Sequence, residues 1–139
     1  GSLEAGIAFT NSSVALVHGM ARPLGAKFGI PHGVSNAVLL EAIMRFSLPG
    51  APERYARLAE AMGAVPAGTP LETARAGLGI VSRLVRELHI PRLRDLLSRD
   101  ALDAQLDAMV REAVASGSPA NNPRPASPEE IASLYGEAF

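Results

Sequence analysis

The chain has 139 residues, 47% hydrophobic and 19% charged, with a formal net charge of −1. This length is typical of one domain with a real core, and so much apolar sequence excludes a disordered polar tail. The balanced charge leaves no basic excess to neutralise phosphates, so nucleic-acid binding is not expected, and the absence of cysteine excludes disulfides and a thiolate metal site.

Segments that direct a protein to a membrane are not evident. No uninterrupted apolar run reaches the ~18 residues that a membrane span needs. The N-terminus has no basic region followed by an apolar one, so a signal peptide is not expected either. We therefore expect a cytoplasmic protein with no membrane partner.

The composition favours helices. Alanine and leucine supply 24 and 17 residues, whereas valine, isoleucine and threonine together supply 18. Alanine and leucine are strong helix formers, and β-branched residues favour strands, so we predict an all-α protein, a bundle of six or seven helices. The charged fraction is below the ~25% of ordinary soluble domains. This predicts that some surface is covered by another domain or subunit, and hence a homodimer or higher oligomer.

The first half of the chain is strongly apolar. Residues 1–2 are set aside as a possible tag remnant, so the predicted domain spans residues 3–139. Leu3 to about Gly25 is predicted as one helix, or two separated near residues 9–11, and it has no polar face, which is typical of a buried helix. Prolines and glycines between residues 23 and 33 then predict a loop.

Five further helices are predicted after this loop, three of them in the middle of the chain. A second apolar helix runs from Asn36 to about Phe46, and a short one from Pro52 to Met62 is ended by Gly63. Thr69-Pro70-Leu71-Glu72 is a capping box that opens a helix to about Leu88. Its apolar residues recur every three or four positions, and they are Ala74, Leu78, Val81, Val85 and Leu88.

The last third of the chain has the same character. Pro91 begins a short turn, and a helix spans about Asp100 to Ala115, followed by a loop. The inward stripe of this helix is predicted to contain Leu102, Leu106, Met109, Val110, Ala113 and Val114. A second capping box, which begins at Ser127, opens a terminal helix. That helix is predicted to turn Ile131, Leu134 and Tyr135 inward.

A glycine pair at Gly77 and Gly79 resembles part of a dinucleotide-binding fingerprint, but Ser82 stands where the third glycine is needed. No strand precedes the pair, and it falls inside a predicted helix. The fingerprint works only in a strand–turn–helix context, so we interpret these glycines as helix-packing residues.

Three histidines remain as candidates for chemistry. His89 lies near a helix end, where a capping or surface role is typical. His18 and His32 are fourteen positions apart, too far for one helix face, but the loop between them could fold back and bring the imidazoles together. Imidazole suits zinc and non-haem iron. From the residues alone, two unrelated core or surface histidines are the favoured interpretation, because such a motif needs context.

The residues around this pair form a longer pattern, and they resemble the metal-binding signature of the iron-containing (group III) alcohol dehydrogenase family. The likeness is greatest to its lactaldehyde/propanediol oxidoreductase branch. Weaker similarity extends over essentially the whole chain. The matching residues of the signature are His18, Gly19, Met20, Ala21, Pro23, Leu24, Gly25, Ala26, Pro31, His32, Gly33, Asn36, Ala37, Leu39 and Leu40.

The resemblance implies a part of an enzyme. Members of this family join an α/β domain that binds NAD(P) to a helical, dehydroquinate-synthase-like C-terminal domain. That domain holds a divalent metal through one aspartate and three histidines, of which His18 and His32 would be the last two. No DxxxH segment, the source of the first two ligands, occurs here. The resemblance therefore implies most of a C-terminal domain without its nucleotide-binding domain, inactive by itself.

The implied chemistry is hydride transfer between a small alcohol or aldehyde and nicotinamide. The metal, with Fe²⁺ favoured and Zn²⁺ as the alternative, would act as a Lewis acid. By resemblance Phe9 lines the substrate pocket, and Asn11 is a weaker candidate for the same region. Two imidazoles alone are expected to hold a metal weakly, because catalytic sites use three or more protein ligands.

The sequence departs from the family pattern in two places. Arg22 stands where the closest branch often has a further histidine, and a guanidinium cannot accept a proton at neutral pH. Arg22 is expected either to pair with an acidic substrate or cofactor phosphate or to lie on the surface. Residues Ser13-Val14-Ala15 replace frequent glycines, which puts the size of the substrate in doubt.

Two alternatives stay open. One is a maleylacetate-reductase-like or glycerol-dehydrogenase-like enzyme of the same superfamily, which Arg22 favours slightly. The other is a helical interaction module without catalysis. The native metal, the choice between NAD and NADP, and the substrate are not determined by the sequence.

Overall fold

Eight α-helices and two short 3₁₀ helices make up the computed structural model, which describes residues 1–139 and contains no β-strand. The predicted all-α class is confirmed, with more helices than predicted. The α-helices are α1 (Ser2–Ser12), α2 (Leu16–Phe28), α3 (His32–Ser47), α4 (Pro52–Ala61), α5 (Pro70–Glu87), α6 (Leu93–Leu96), α7 (Arg99–Ala115) and α8 (Pro128–Ala138). The 3₁₀ helices are Leu48–Gly50 and Ser118–Asn121.

The core lies between four of these helices. α2 packs against α3 and α7, and α8 packs against the same two helices from the other side. α4 and α5 form a hairpin that packs on α3 through α5. Most of the predicted inward residues are buried here, including Leu102, Met109 and Tyr135. None of the helices is both long and apolar enough to cross a membrane.

The predicted loop over residues 23–33 is wrong for most of its length, because α2 continues through Pro23 and Gly25 to Phe28. Pro23 lacks a backbone N–H, so the helix loses one hydrogen bond there. Its ring is buried together with Leu24 in the core. Packing therefore outweighs the local preference of proline to end a helix. The real break is Gly29–Pro31, where Gly29 adopts φ 67° and donates its N–H to the Gly25 carbonyl.

The predicted burial of the first helix is also wrong in part. The break between α1 and α2 lies at Ser13–Ala15, not at residues 9–11, and α1 buries no residue at all. None of the apolar side chains of α1 is covered by another helix of this chain, and Leu3 is 77% exposed. Ser13 has φ 60° and ψ −170°, a conformation that glycine adopts far more readily than serine.

Two residues of the predicted inward stripes face solvent. Leu88 is 62% exposed and Val114 is 45% exposed. Leu88 comes after the last residue of α5, where the helical periodicity no longer applies. The caps are found where predicted: Ser127 and Glu130 form the reciprocal capping box of α8, and the Thr69 hydroxyl accepts the N–H of Glu72 at the start of α5.

The interpretation of Gly77 as a packing residue is confirmed. A Cβ on Gly77 would lie 2.5 Å from the Cβ of Ala59, so the absence of a side chain lets α5 approach α4 closely. Ala59 is itself fully buried. For Gly79, two positions later, the same interpretation is wrong, because nothing lies within 4 Å of its ideal Cβ position.

Alanine substitutions at the two glycines should act in opposite directions. Gly77→Ala forces α4 and α5 apart and should lower the free energy of unfolding by about 1–2 kcal/mol despite its better helix propensity. Gly79→Ala adds only the propensity and should raise it by about 0.5–1 kcal/mol. Urea denaturation measures both. Equal shifts of the same sign would contradict the proposed close packing at Gly77.

Tyr135 joins the end of the chain to the start of α2. Its buried hydroxyl donates a hydrogen bond of 2.7 Å to the backbone carbonyl of Met20. Burial, and then the negative charge of Glu112, raise the pKa of Tyr135 above its ordinary value of 10.0. The neutral phenol is therefore the form that the native structure requires.

Tyr135→Phe should lower the free energy of unfolding by about 1–2 kcal/mol at neutral pH, because a buried carbonyl loses its donor. A pKa raised in the folded state contributes stability that is present below the unfolded pKa and lost above it. The wild-type protein should therefore lose stability above pH ~10 more steeply than the variant. Parallel stability curves in denaturation experiments between pH 7 and 11 would contradict this role.

Candidate metal centre

The first turns of two helices carry the candidate histidines. His18 is the third residue of α2, and His32 is the first residue of α3. The Nε2 atom of His32 lies 3.2 Å from the Nδ1 atom of His18, and the ring centroids are 5.2 Å apart. The predicted convergence of the two imidazoles is thus observed, although His32 opens a helix and does not lie in a loop.

The electrostatic surroundings keep His18 neutral. Its side chain is partly buried, whereas His32 is exposed. Desolvation by burial lowers the pKa of His18 below its ordinary 6.5, and the charges of His32 and Arg22 lower this pKa further. A neutral imidazole has the free lone pair that a metal ligand needs.

Phe9 lies beside this pair. Its ring centroid is 6.3 Å from that of His18, with the planes tilted by 43°. Phe9 reaches the histidines from α1 and is 54% exposed, so it forms an apolar wall that is open on its other side. The structure therefore brings one of the predicted pocket residues to the histidines.

The two other predicted pocket residues differ from Phe9. Asn11 lies on α1 and donates its side-chain N–H to the Ile7 carbonyl, 2.8 Å away within the same helix. Arg22 follows His18 by one turn of α2 and is exposed, and none of the ion pairs in the structure includes it. Arg22 therefore affects His18 through its charge, while Asn11 is engaged within α1.

Asn36, which the sequence analysis includes in the signature without a role at the site, is a neighbour of the pair. Its Nδ2 atom lies 3.0 Å from Nε2 of His32 and 2.9 Å from the backbone oxygen of His32. The spacing of four residues is the signal that could have found it. That spacing is informative only if His32 is helical, and the sequence had predicted a loop there.

Only the two side chains of the pair are available to bind a metal. No third histidine, cysteine or carboxylate joins the pair to form a group of three possible metal ligands. A cleft of about 300 Å³ is lined by α3, α5 and the end of α8 but includes neither histidine. That cleft therefore lies apart from the histidine pair.

Comparisons with known proteins show which family the sequence resembles. The family model described as "Fe-containing alcohol dehydrogenase family, C-terminal" matches residues 1–139. The chain is 39% identical over 140 residues to the 1,3-propanediol dehydrogenase of Klebsiella pneumoniae. It is 40% identical over 142 residues to the lactaldehyde reductase of Escherichia coli K12. These matches cover 99% and 100% of this chain, but 35% and 36% of the relatives.

Solved structures show the same fold. A crystal structure of a 1,3-propanediol oxidoreductase superposes with a TM-score of 0.92 at 38% identity, covering 99% of this chain and 36% of that one. The iron-containing alcohol dehydrogenase of Thermococcus thioreducens superposes with a TM-score of 0.85 at 31% identity. That match covers 97% of this chain and 34% of the other. The chain thus spans about a third of the length of its relatives.

The free energy of unfolding at acidic pH should depend on the protonation of His18. A lowered folded-state pKa means that protons bind the unfolded chain more readily, so stability should fall as the pH drops below 6.5. In an NMR titration, His32→Gln should raise the pKa of His18, and Arg22→Gln should raise it by less, following the order of their effects. An unchanged pKa of His18 in both variants would contradict the described coupling.

Proposed function

The chain belongs to the Fe-containing alcohol dehydrogenase family, of which it matches the C-terminal part, and on that basis we propose that it contributes two metal ligands to a nicotinamide-dependent alcohol dehydrogenase. The proposed reaction moves a hydride between a small alcohol or aldehyde and NAD(P). The names of the relatives, which refer to propanediol and lactaldehyde, support a small substrate of this class.

The observation that carries the proposal is the contact between the two imidazoles. Two nitrogen ligands bound to one divalent ion at ~2.0–2.1 Å, with angles of roughly 100–109°, lie roughly 3.1–3.4 Å apart. The nitrogens of His18 and His32 are 3.2 Å apart. The residues therefore fit a shared metal, and imidazole suits both iron and zinc. Family membership favours Fe²⁺, with Zn²⁺ as the alternative.

Two ligands do not complete a catalytic site, which typically has three or more protein ligands. The relatives are about three times as long as this chain. We propose that the remaining ligands and the NAD(P)-binding domain belong to sequence outside these residues. Residues 3–139 would then act as the helical metal-binding domain, and by themselves they should hold a metal weakly and show no turnover.

The residues of this chain have separate tasks in the proposed reaction. When bound, the divalent metal would supply Lewis-acid polarisation of the substrate oxygen. His18 and His32 provide nitrogen donors, and the lowered pKa of His18 keeps that donor unprotonated at neutral pH. Phe9 provides an apolar wall beside His18, which helps to keep water away from the reacting carbon.

Arg22 and Asn11 are proposed to act at the edge of the substrate pocket. Arg22 carries a permanent charge one turn from His18, so it can attract an anionic group but cannot relay a proton at neutral pH. This property would favour substrates or cofactors with a carboxylate or phosphate near the site. Asn11, which is engaged within α1, would contribute by its place on the pocket wall.

Metal binding by a protein that contains this chain at the length of its relatives should depend on the histidine pair. His18→Ala and His32→Ala should each lower the metal content. Each should also weaken the affinity for Zn²⁺ or Fe²⁺ by at least 10-fold, because each removes one side chain that binds the metal. Elemental analysis and competition with a chelator provide the measurement.

The third histidine provides the matched control. His89 is exposed beyond the end of α5, so His89→Ala should leave metal content unchanged. Full metal content in both His18→Ala and His32→Ala would overturn the proposal. That result would favour the alternative in which the chain is a helical interaction module that keeps the motif without catalysis.

A further inference from the structure

The side-chain amide of Asn36 has a fixed orientation. One of its N–H groups lies 2.9 Å from the backbone carbonyl of His32, and a carbonyl oxygen can only accept a hydrogen bond. The nitrogen of the amide, and not its oxygen, must therefore face His32. The Oδ1 atom is buried without a hydrogen-bond partner, which is the cost of this orientation. Turning the amide over would set that oxygen against the carbonyl.

This orientation determines what His32 can do. The same amide nitrogen lies 3.0 Å from Nε2 of His32. Because the amide nitrogen can only donate, Nε2 must accept, and a neutral imidazole that accepts at Nε2 carries its proton on Nδ1. This unprotonated Nε2 atom also lies 3.2 Å from Nδ1 of His18, and a metal that binds there would replace its hydrogen bond from Asn36.

We propose that Asn36 is a positioning residue that selects the Nδ1–H tautomer of His32 and so keeps the Nε2 atom, which faces His18, free of a proton before any metal binds. The role of this tautomer in metal binding rests on the proposed function, since a ligand nitrogen must carry no proton. The selection of the tautomer rests only on the contacts of the amide.

The decisive experiment uses the metal-free chain, treated with a chelator and held at pH 8. Long-range ¹H–¹⁵N correlation spectra of the histidine rings distinguish a protonated from an unprotonated ring nitrogen. In the wild-type chain we expect His32 to be protonated at Nδ1 and unprotonated at Nε2. Loss of a signal set in His32→Gln provides the assignment. A wild-type His32 protonated at Nε2 would overturn the proposal.

Two substitutions at position 36 should separate donation from shape. Asn36→Ala removes the hydrogen-bond donor and should shift His32 toward the Nε2–H tautomer. Alanine has a high helix propensity, so α3 should stay folded in this variant. Asn36→Asp keeps the shape but replaces the donor by an acceptor, so Nε2–H should become the dominant form. An unchanged tautomer in both variants would contradict the proposed role.

Glu41→Ala is the matched control. Glu41 lies on the same helix and pairs with Arg45 through a bond of 2.9 Å. Its substitution removes a polar side chain from α3 without touching His32, so the tautomer should stay as in the wild type. A tautomer that shifts in Glu41→Ala as much as in Asn36→Ala would mean that α3 as a whole, and not Asn36, sets it.

A zinc titration separates this inference from the proposed function. The titration uses a protein that contains this chain at the length of its relatives, because this chain alone is expected to hold a metal weakly, and Glu41→Ala should leave its Zn²⁺ binding unchanged. The expected tautomer in the metal-free chain, together with an absence of zinc binding by the longer protein, would overturn the proposed function and support the role of Asn36. Zinc binding by a His32 that is protonated at Nε2 in the metal-free chain would overturn the role of Asn36 alone.

Discussion

The turn between α2 and α3 is the constraint on which the candidate site depends. α2 ends at Phe28, Gly29 takes the left-handed conformation, and Pro31 precedes the first residue of α3. The buried Ser35 hydroxyl donates to the Ile30 carbonyl and holds the turn against α3. Because His32 comes directly after Pro31, any change in this turn moves one imidazole relative to the other.

Residues from the end of the chain hold the other imidazole in place. Gly19 lies so close to Ser116 and Ser118 that a Cβ there would be 3.1 Å from the Ser116 hydroxyl. The Asn121 amide donates to the Val14 carbonyl just before α2. These contacts join segments about a hundred positions apart. They pack residues 116–121 against the first turn of α2, which carries His18.

α1 is the exception to this tight packing. It buries no residue, and yet it places Phe9 beside His18. Its exposed apolar side chains agree with the low charged fraction of the sequence, and a chain that spans about a third of its relatives is expected to leave such surface open. The incomplete ligand set and the uncovered helix lie at the same end of α2. Both features are accounted for if the proposed site is shared with sequence outside these residues.

Local patterns in the sequence were sufficient for the fold class, the caps of α5 and α8, and most of the inward residues of α7. These features depend on propensity and on spacing of three or four residues, which act within one helix. The pairing of His18 with His32 came from a resemblance, because nothing local requires residues fourteen apart to meet.

Tertiary structure decided the rest. Pro23 and Gly25 are helical because burial of Pro23 and Leu24 outweighs their tendency to break a helix, and α1 is exposed although its composition is that of a buried helix. The contact of Asn36 with His32 exists only because α3 begins four residues earlier than its pattern indicated. The sequence by itself determined which residues are chemically able to bind a metal. Only the folded chain decided which of their atoms face each other, since that depends on contacts between distant segments.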